Sequence, residues 1–362
     1  MSSTWGNNLK LSLFGESHGK GIGIIIDGLP PGILLDFNHI RKQMQRRAPG
    51  KSDTSTKRKE KDSFEIISGL FKEKTTGTPL CGLIRNENTL SEDYEKMHNL
   101  MRPGHADYTG YIKYKGFNDF RGGGHFSGRL TAPLVFAGAV AMQVLQKKNI
   151  YIGSHISDIC GVRDKYFDDI SPDENLFRSL SEKEICTIDD EAGLKMKEKI
   201  LITKTKNDSV GGIIETAVIN IPPGVGSPFF NSIESQMSSM MFSIPAVKGI
   251  EFGSGFNLTN MKGSASNDSF TASNGKIVTL TNHNGGIQGG ISNGMPIIFR
   301  TVFKATPSIS KKQKTIDIDT MKETEIEIRG RHDPCIVPRA VPVTEAVSAL
   351  VILDILMEKD GI

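Results

Sequence analysis

Gly15-Glu16-Ser17-His18-Gly19 sets a serine beside a histidine in a glycine-bounded turn. Gly-x-Ser-x-Gly is the pattern of a hydrolase nucleophile elbow, which needs a strand, a sharp turn and then a helix. Leu9–Phe14 reads as the strand, but Ile22–Asp27 reads as a second strand, so the esterase context is missing. What remains is a turn that presents Ser17 and His18 to a ligand. Gly123-Gly124-His125-Phe126-Ser127-Gly128-Arg129 comes close to a phosphate-binding loop, yet Arg129 and Leu130 stand where lysine and a metal-binding hydroxyl belong. Glycine N–H groups ahead of a helix predicted to begin near Thr131 still suit an anion.

Three further runs hold residues able to bind or transfer protons: Arg102-Pro103-Gly104-His105-Ala106-Asp107, His283 through Gly290, and Arg329-Gly330-Arg331-His332-Asp333-Pro334. Arg41, Lys42, Arg46, Arg47, Lys51, Lys57, Arg58, Lys59 and Lys61 crowd one segment, interleaved with Gly50, Ser52, Thr54 and Ser55. Such a run is either a solvated loop or a basic loop that closes over an anionic ligand. It lacks the interleaved aromatics of a single-strand nucleic-acid binder, and a net charge of +3 does not argue for nucleic acid. The four cysteines, Cys81, Cys160, Cys186 and Cys335, lie too far apart for a zinc site and read as free thiols of a cytoplasmic protein. No metal is expected. The N-terminus shows no signal pattern, and no apolar stretch long enough to cross a bilayer is expected.

These residues need elements to position them, and the chain reads as an internal duplication. Gly23–Asp27 followed by Leu29-Pro30-Pro31-Gly32 and Phe37–Met44 is echoed by Thr216–Asn220, Ile221-Pro222-Pro223-Gly224 and Phe230–Met237. Each copy reads as strand, Pro-Pro-Gly turn and helix. Gly77-Thr78-Pro79-Leu80 matches Gly294-Met295-Pro296-Ile297. Arg121 and Arg129 before an apolar helix at Ala132–Leu145 match Arg331 and Arg339 before one at Val343–Met357. The offset stays at roughly 190–220 residues, as a duplication with insertions gives. The expected fold is one α/β domain, residues 1–362, with pseudo-symmetric halves at about 9–150 and 210–362. The charged segment 151–209 reads as a connection carrying a peripheral helix, Ser181–Lys199, and the functional site is expected at the junction of the halves.

Taken together, the motifs resemble the chorismate synthase family across essentially the whole chain. The matching runs are Phe14–Gly19, Asp27–Gly32, Arg46–Gly50, Arg102–Tyr108, Arg121–Gly124, Asn282–Gly286 and Gly330–Cys335. The resemblance implies a β-α-β sandwich subunit of a cytoplasmic homotetramer in aromatic amino-acid biosynthesis. It implies a lyase that removes phosphate and a C6 proton from opposite faces of 5-enolpyruvylshikimate 3-phosphate to give chorismate. The cofactor would be reduced FMN, which lends an electron to phosphate departure and recovers it, with no net redox change. No reductase segment is visible, so NADPH would act only indirectly, through an external flavin reductase.

The resemblance also assigns roles. His18 would protonate the departing phosphate, His105 the reduced flavin, and Asp333 would receive a proton near flavin N5, with Ser17 and Ser127 in the relay. Arg46, Arg47, Arg102, Arg129 and Arg339 would hold the anionic groups, because planar guanidinium binds phosphate and carboxylate bidentately. FMN would lie against His125, Phe126, Ser127, Pro245, Ala246, Gly289, Lys304, Ala305, Thr306, Pro307, Ser308 and Arg331. Arg47 and Asp53 occupy the positions of a weak NADP contact. Asp53, His125-Phe126 and Pro245 depart from the residues common in the family. A non-catalytic binder of flavin or phosphorylated ligands is the reading from another class.

Overall fold

The computed structural model describes residues 3–50, 53–56, 60, 62–87, 97–328 and 332–360. In strand β3 (Gly21–Asp27), Ile22, Ile24 and Ile26 alternate into the core, the period of two that a strand with one buried face requires. It joins β1 (Thr4–Trp5), β2 (Lys10–Gly15), β4 (Phe64–Ser68) and β5 (Leu80–Arg85) in an antiparallel sheet of order β1-β2-β3-β5-β4. A second antiparallel sheet contains β6 (Tyr151–Ile159), β7 (Val162–Arg163), β8 (Gly212–Ile219), β9 (Val247–Phe252) and β10 (Ile297–Phe303), in the order β9-β10-β8-β6-β7.

Between the sheets lie α1 (Phe37–Arg47), α2 (Thr131–Lys147), α3 (Ile233–Met241) and α4 (Val337–Asp360). Helix α2 packs on β3 and β5, α4 packs on β6 and β8, and the two helices pack on each other. Every residue from Thr131 to Leu145 is buried, so α2 needs an apolar surface all round rather than one stripe. Contrary to the sequence expectation, the stretches 128–147 and 337–359 are apolar and long enough to cross a membrane. In each, 94% and 100% respectively of the most apolar window is buried inside this fold, as core helices are.

With the short β1 and β7 set aside, each sheet places its four remaining strands in the order first, second, fourth, third: β2-β3-β5-β4 and β6-β8-β10-β9. The second half therefore takes its first strand from Tyr151–Ile159, within the segment expected to be a connection. Residues 153–157 of this strand are all buried; it pairs along its length with β8, and Phe177 packs directly on Gly153, where a Cβ would clash. The single peripheral helix expected at 181–199 is two, Glu174–Glu182 and Asp190–Thr205, each started by an aspartate cap, Asp173 and Asp189. Helix α4 begins at Val337 rather than Val343 and runs through Pro342, which puts Arg339 on its first turn instead of in a preceding loop. All four cysteines are free.

Candidate active site

A cleft of about 810 Å³ opens where the two halves meet. From the first half it takes Arg47 at the end of α1, the Gly104–Asp107 turn, the Gly122–Arg129 loop and the start of α2. From the second half come Phe242–Lys248, Lys304 and Thr306–Ser308 (but not the intervening Ala305), His332, Asp333 and the first turns of α4.

The Gly122–Arg129 loop is shaped by three consecutive glycines with φ of +60°, +82° and +52°, a path that side chains would oppose. Ser127 then caps the helical turn that leads into α2, its Oγ accepting from Arg129 N–H at 3.3 Å. His125 is among the residues lining the cleft, and its ring is fixed with Nδ1 2.8 Å from the Gly15 carbonyl and Nε2 2.9 Å from Ser3 Oγ. Phe126 stands at the wall with its ring edge-on to Tyr114.

On one side of the cleft, arginines are held by carboxylates. Arg47 donates from Nη2 and Nε to Asp62 at 2.7 and 3.2 Å, and from Nη1 to Thr131 Oγ1 at 3.2 Å. Arg129 also grips Asp62, and reaches Glu60 at 2.8 Å. Burial would raise the Asp62 pKa, but Arg47 and Arg129 outweigh it and hold the carboxyl below its usual range. Arg102 forms a bidentate pair with Asp107, both contacts at 2.7 Å. Arg339 pairs with Asp333 and donates from Nε to the Arg47 carbonyl at 2.9 Å. Asp333 Oδ1 also accepts from Thr56 N–H at 2.8 Å.

The other side carries His105, whose Nε2 lies 2.7 Å from Ser308 Oγ. Burial, with Arg102 and Lys304 nearby, pushes the His105 pKa down to about 4. His332 is lowered as well, by burial and Arg102 against the pull of Asp333. Lys304 donates to the Gly104 carbonyl at 2.6 Å, and burial together with Lys248 lowers its pKa. Pro245 and Ala246 follow α3, and Ala246 takes a left-handed φ of +77° while accepting from Lys304 N–H. A strained alanine in a cleft wall marks a backbone held by its surroundings.

Not every candidate lines this cleft. Ser17 and His18 lie just behind it. A Cβ on Gly122 would come within 2.5 Å of the His18 ring and 3.0 Å of Ser17 Oγ, and that Oγ is buried with no hydrogen-bond partner among the described residues. Arg46 faces away. One helical step from Arg47, it makes a bidentate pair with Glu345 and lines a separate cavity of about 370 Å³ with His39 and Lys42. Burial opposes its charge, but Glu345 outweighs that and raises the Arg46 pKa. Gly289 sits in the turn joining Ile287–Gln288 to Ile291–Ser292 and is not among the cleft residues. Asp53 is exposed, its carbonyl accepting from Lys204 Nζ at 2.6 Å, so it does not share the Arg47 environment. Arg331, with Lys51, Lys57, Arg58, Lys59 and Lys61 of the basic run, lies outside the described residues.

Sequence reading passed over Glu60, Asp62, Asn118 and Lys248, and gave His332 no role although it named the run that holds it. The two acids were visible as carboxylates inside a basic run, but Lys248 and Asn118 carry no local signal. The turn Gly15–Gly19 joins the antiparallel strands β2 and β3, so the nucleophile-elbow geometry is absent. A flat phosphorylated ligand fits the cleft on three counts. Its volume is that of a small-molecule site, bare glycine backbone faces it at Gly122, Gly123 and Gly128, and Thr306 Oγ1 and His332 Nε2 are buried there with no hydrogen-bond partner among the described residues.

The family profile described as chorismate synthase matches residues 9–357. A chorismate synthase of Pyrococcus abyssi is 48% identical over 354 residues, covering 97% of this chain and 97% of the relative. One from Thermococcus kodakarensis is 45% identical and one from Dehalococcoides mccartyi 42%, each covering 98% of this chain, and 97% and 96% of the relative respectively. A chorismate synthase crystal structure superposes with a TM-score of 0.75 at 30% identity, covering 99% of this chain and 94% of the other.

Proposed function

Since this chain belongs to the chorismate synthase family, and is therefore a lyase of aromatic amino-acid biosynthesis acting on a small molecule, we propose that its substrate is 5-enolpyruvylshikimate 3-phosphate and its cofactor reduced FMN. The observation that carries this reading is the convergence of Arg47, Arg102, Arg129 and Arg339, drawn from both halves, beside His105 and Asp333 in one cleft. A ligand with one phosphate and two carboxylates needs that density of guanidinium.

Reduced flavin supplies, when bound, the electron that assists departure of the phosphate. Its binding surface would be Phe126, Ser127, Pro245, Ala246 and the Lys304–Ser308 loop, with Lys304 and Lys248 offering positive charge. The arginines orient the substrate and neutralise its anions, which also lowers the cost of burying them. His18, which lies behind Gly122, would donate a proton to the leaving phosphate past that glycine, with Ser17 Oγ bonding within the same relay. His105 has to be charged before it can act as an acid. The unliganded cleft keeps it neutral at pH 7, and a polyanion binding beside it restores its proton. Asp333, steadied by Thr56 and Arg339, holds the proton that leaves C6.

The same reading carries a homotetramer, with reduced flavin delivered by a separate reductase. One anaerobic assay tests it: release of phosphate from 5-enolpyruvylshikimate 3-phosphate with FMN reduced by dithionite. Release with reduced FMN and none with oxidised FMN supports the proposal. Tight FMN binding without phosphate release would make the protein a flavin binder.

A further inference from the structure

We propose that Asp62 is the positioning residue that sets two substrate-facing guanidinium groups side by side, an inference that rests on the anion-binding reading above. Arg47 and Arg129 line the cleft, whereas Asp62, which both of them grip, is not among the residues that do. Its side chain is 0% exposed, and the two arginines are 3% and 5% exposed, so the carboxylate lies beneath them. The division of its oxygens is specific: Oδ2 receives Arg47 and Oδ1 receives Arg129. One carboxylate thus fixes the spacing of two forks that come from different elements, the end of α1 and the turn before α2.

Three observations make Asp62 a fixture rather than a chance ion pair. Its backbone has φ of +48°, a left-handed conformation that persists only where surroundings impose it. The remaining nitrogen of the Arg47 guanidinium, Nη1, is anchored to Thr131, so the group cannot pivot freely about the carboxylate. Two neighbouring cations also repel, and a shared buried anion is what allows them to stand together. Glu60 differs, because it lines the cleft and contacts Arg129 from the open side.

The test compares Asp62→Asn and Asp62→Glu with the unaltered protein. Asn removes the charge at almost constant shape, while Glu keeps it and shifts it by one methylene. Misplaced guanidinium forks should raise KM for the phosphorylated substrate by about 10–100-fold, and weaken inhibition by inorganic phosphate in parallel. FMN affinity should stay unchanged. In a background already carrying Arg47→Ala and Arg129→Ala, Asp62→Asn should add little, since the residue acts through those two side chains. A KM and a phosphate inhibition constant within about twofold of the unaltered protein in either variant would overturn the proposal. If Asp62→Asn does not fold, Asp62→Glu alone decides on the same readout. If the unaltered protein releases no phosphate from the substrate, the substrate reading fails. Calorimetry with inorganic phosphate then still judges Asp62, and equal affinity in variant and parent overturns it.

Discussion

His105 Nε2 and Ser308 Oγ lie 2.7 Å apart, although 203 positions separate them in the chain. The contact ties the two halves across the cleft and takes the imidazole out of water. Burial, Arg102 and Lys304 together bring the His105 pKa to about 4, well below the ordinary value of 6.5.

The sign of the consequence follows from which state binds the proton. Between pH 6.5 and about 4 the unfolded chain protonates this histidine while the folded chain does not. Its contribution to stability is therefore intact above pH 6.5 and is lost as pH falls through that window. Titration by NMR should show the His105 ring neutral at pH 6 in the free protein, with a higher pKa once substrate is bound. A free-state midpoint near 6.5 would contradict this account.

Arg46 and Arg47 are neighbours in sequence with different tasks, and alanine variants should separate them. Each loses a buried ion pair, Arg46 with Glu345 and Arg47 with Asp62. Truncating one side of such a pair costs about 3–5 kcal/mol, so both variants should melt earlier. Only Arg47→Ala should raise KM, because only Arg47 lines the cleft. An equal rise in both would show that the second cavity and the cleft are not independent.

Much of this arrangement was legible in the sequence, for identifiable reasons. The repeated Pro-Pro-Gly turns and long apolar helices are local patterns, and α1, α2, α3 and the second strand of each half follow from them. The Gly122–Gly124 run announced a backbone path that only glycine takes readily. Three things were not legible. The strand Tyr151–Ile159 was hidden by the charged residues that follow it, because its partner strand, Gly212–Ile219, is distant in sequence. The phase of α1, which sends Arg47 to the cleft and Arg46 to Glu345, depends on packing against α4. Asp62 and Lys248 gain their meaning only when distant segments meet.

Helices α2 and α4 are in close contact at Gly138 and Ala346. A Cβ on Gly138 would stand 2.6 Å from the Ala346 carbonyl oxygen, backbone that cannot step aside cheaply. Alanine is normally about 1 kcal/mol better than glycine within a helix. Overpacking here costs about 1–3 kcal/mol and should exceed that gain. Thermal or urea unfolding of Gly138→Ala should show net destabilisation, and a rise in stability would mean that the helices can separate.

Gly122→Ala gives the sharpest test of where His18 works. The new Cβ would lie 2.5 Å from the His18 ring, so the imidazole must move, and Ser17 Oγ at 3.0 Å is crowded with it. The backbone at φ +60° adds a penalty of about 1–2 kcal/mol for any residue with a Cβ. Both effects act on the cleft wall, away from the packed helices α2 and α4. The expected variant is folded, binds FMN and holds substrate through its arginines, yet turns over slowly because the proton donor is displaced. Removing a positioned general acid typically costs about 10²–10⁴ in rate, and His18→Ala should fall in that range. If Gly122→Ala acts through His18, adding it to His18→Ala should cost little more, since the ring it displaces is already gone. Full additivity of the two rate losses would instead assign the glycine to the shape of the flavin surface, and leave the proton donor to another group.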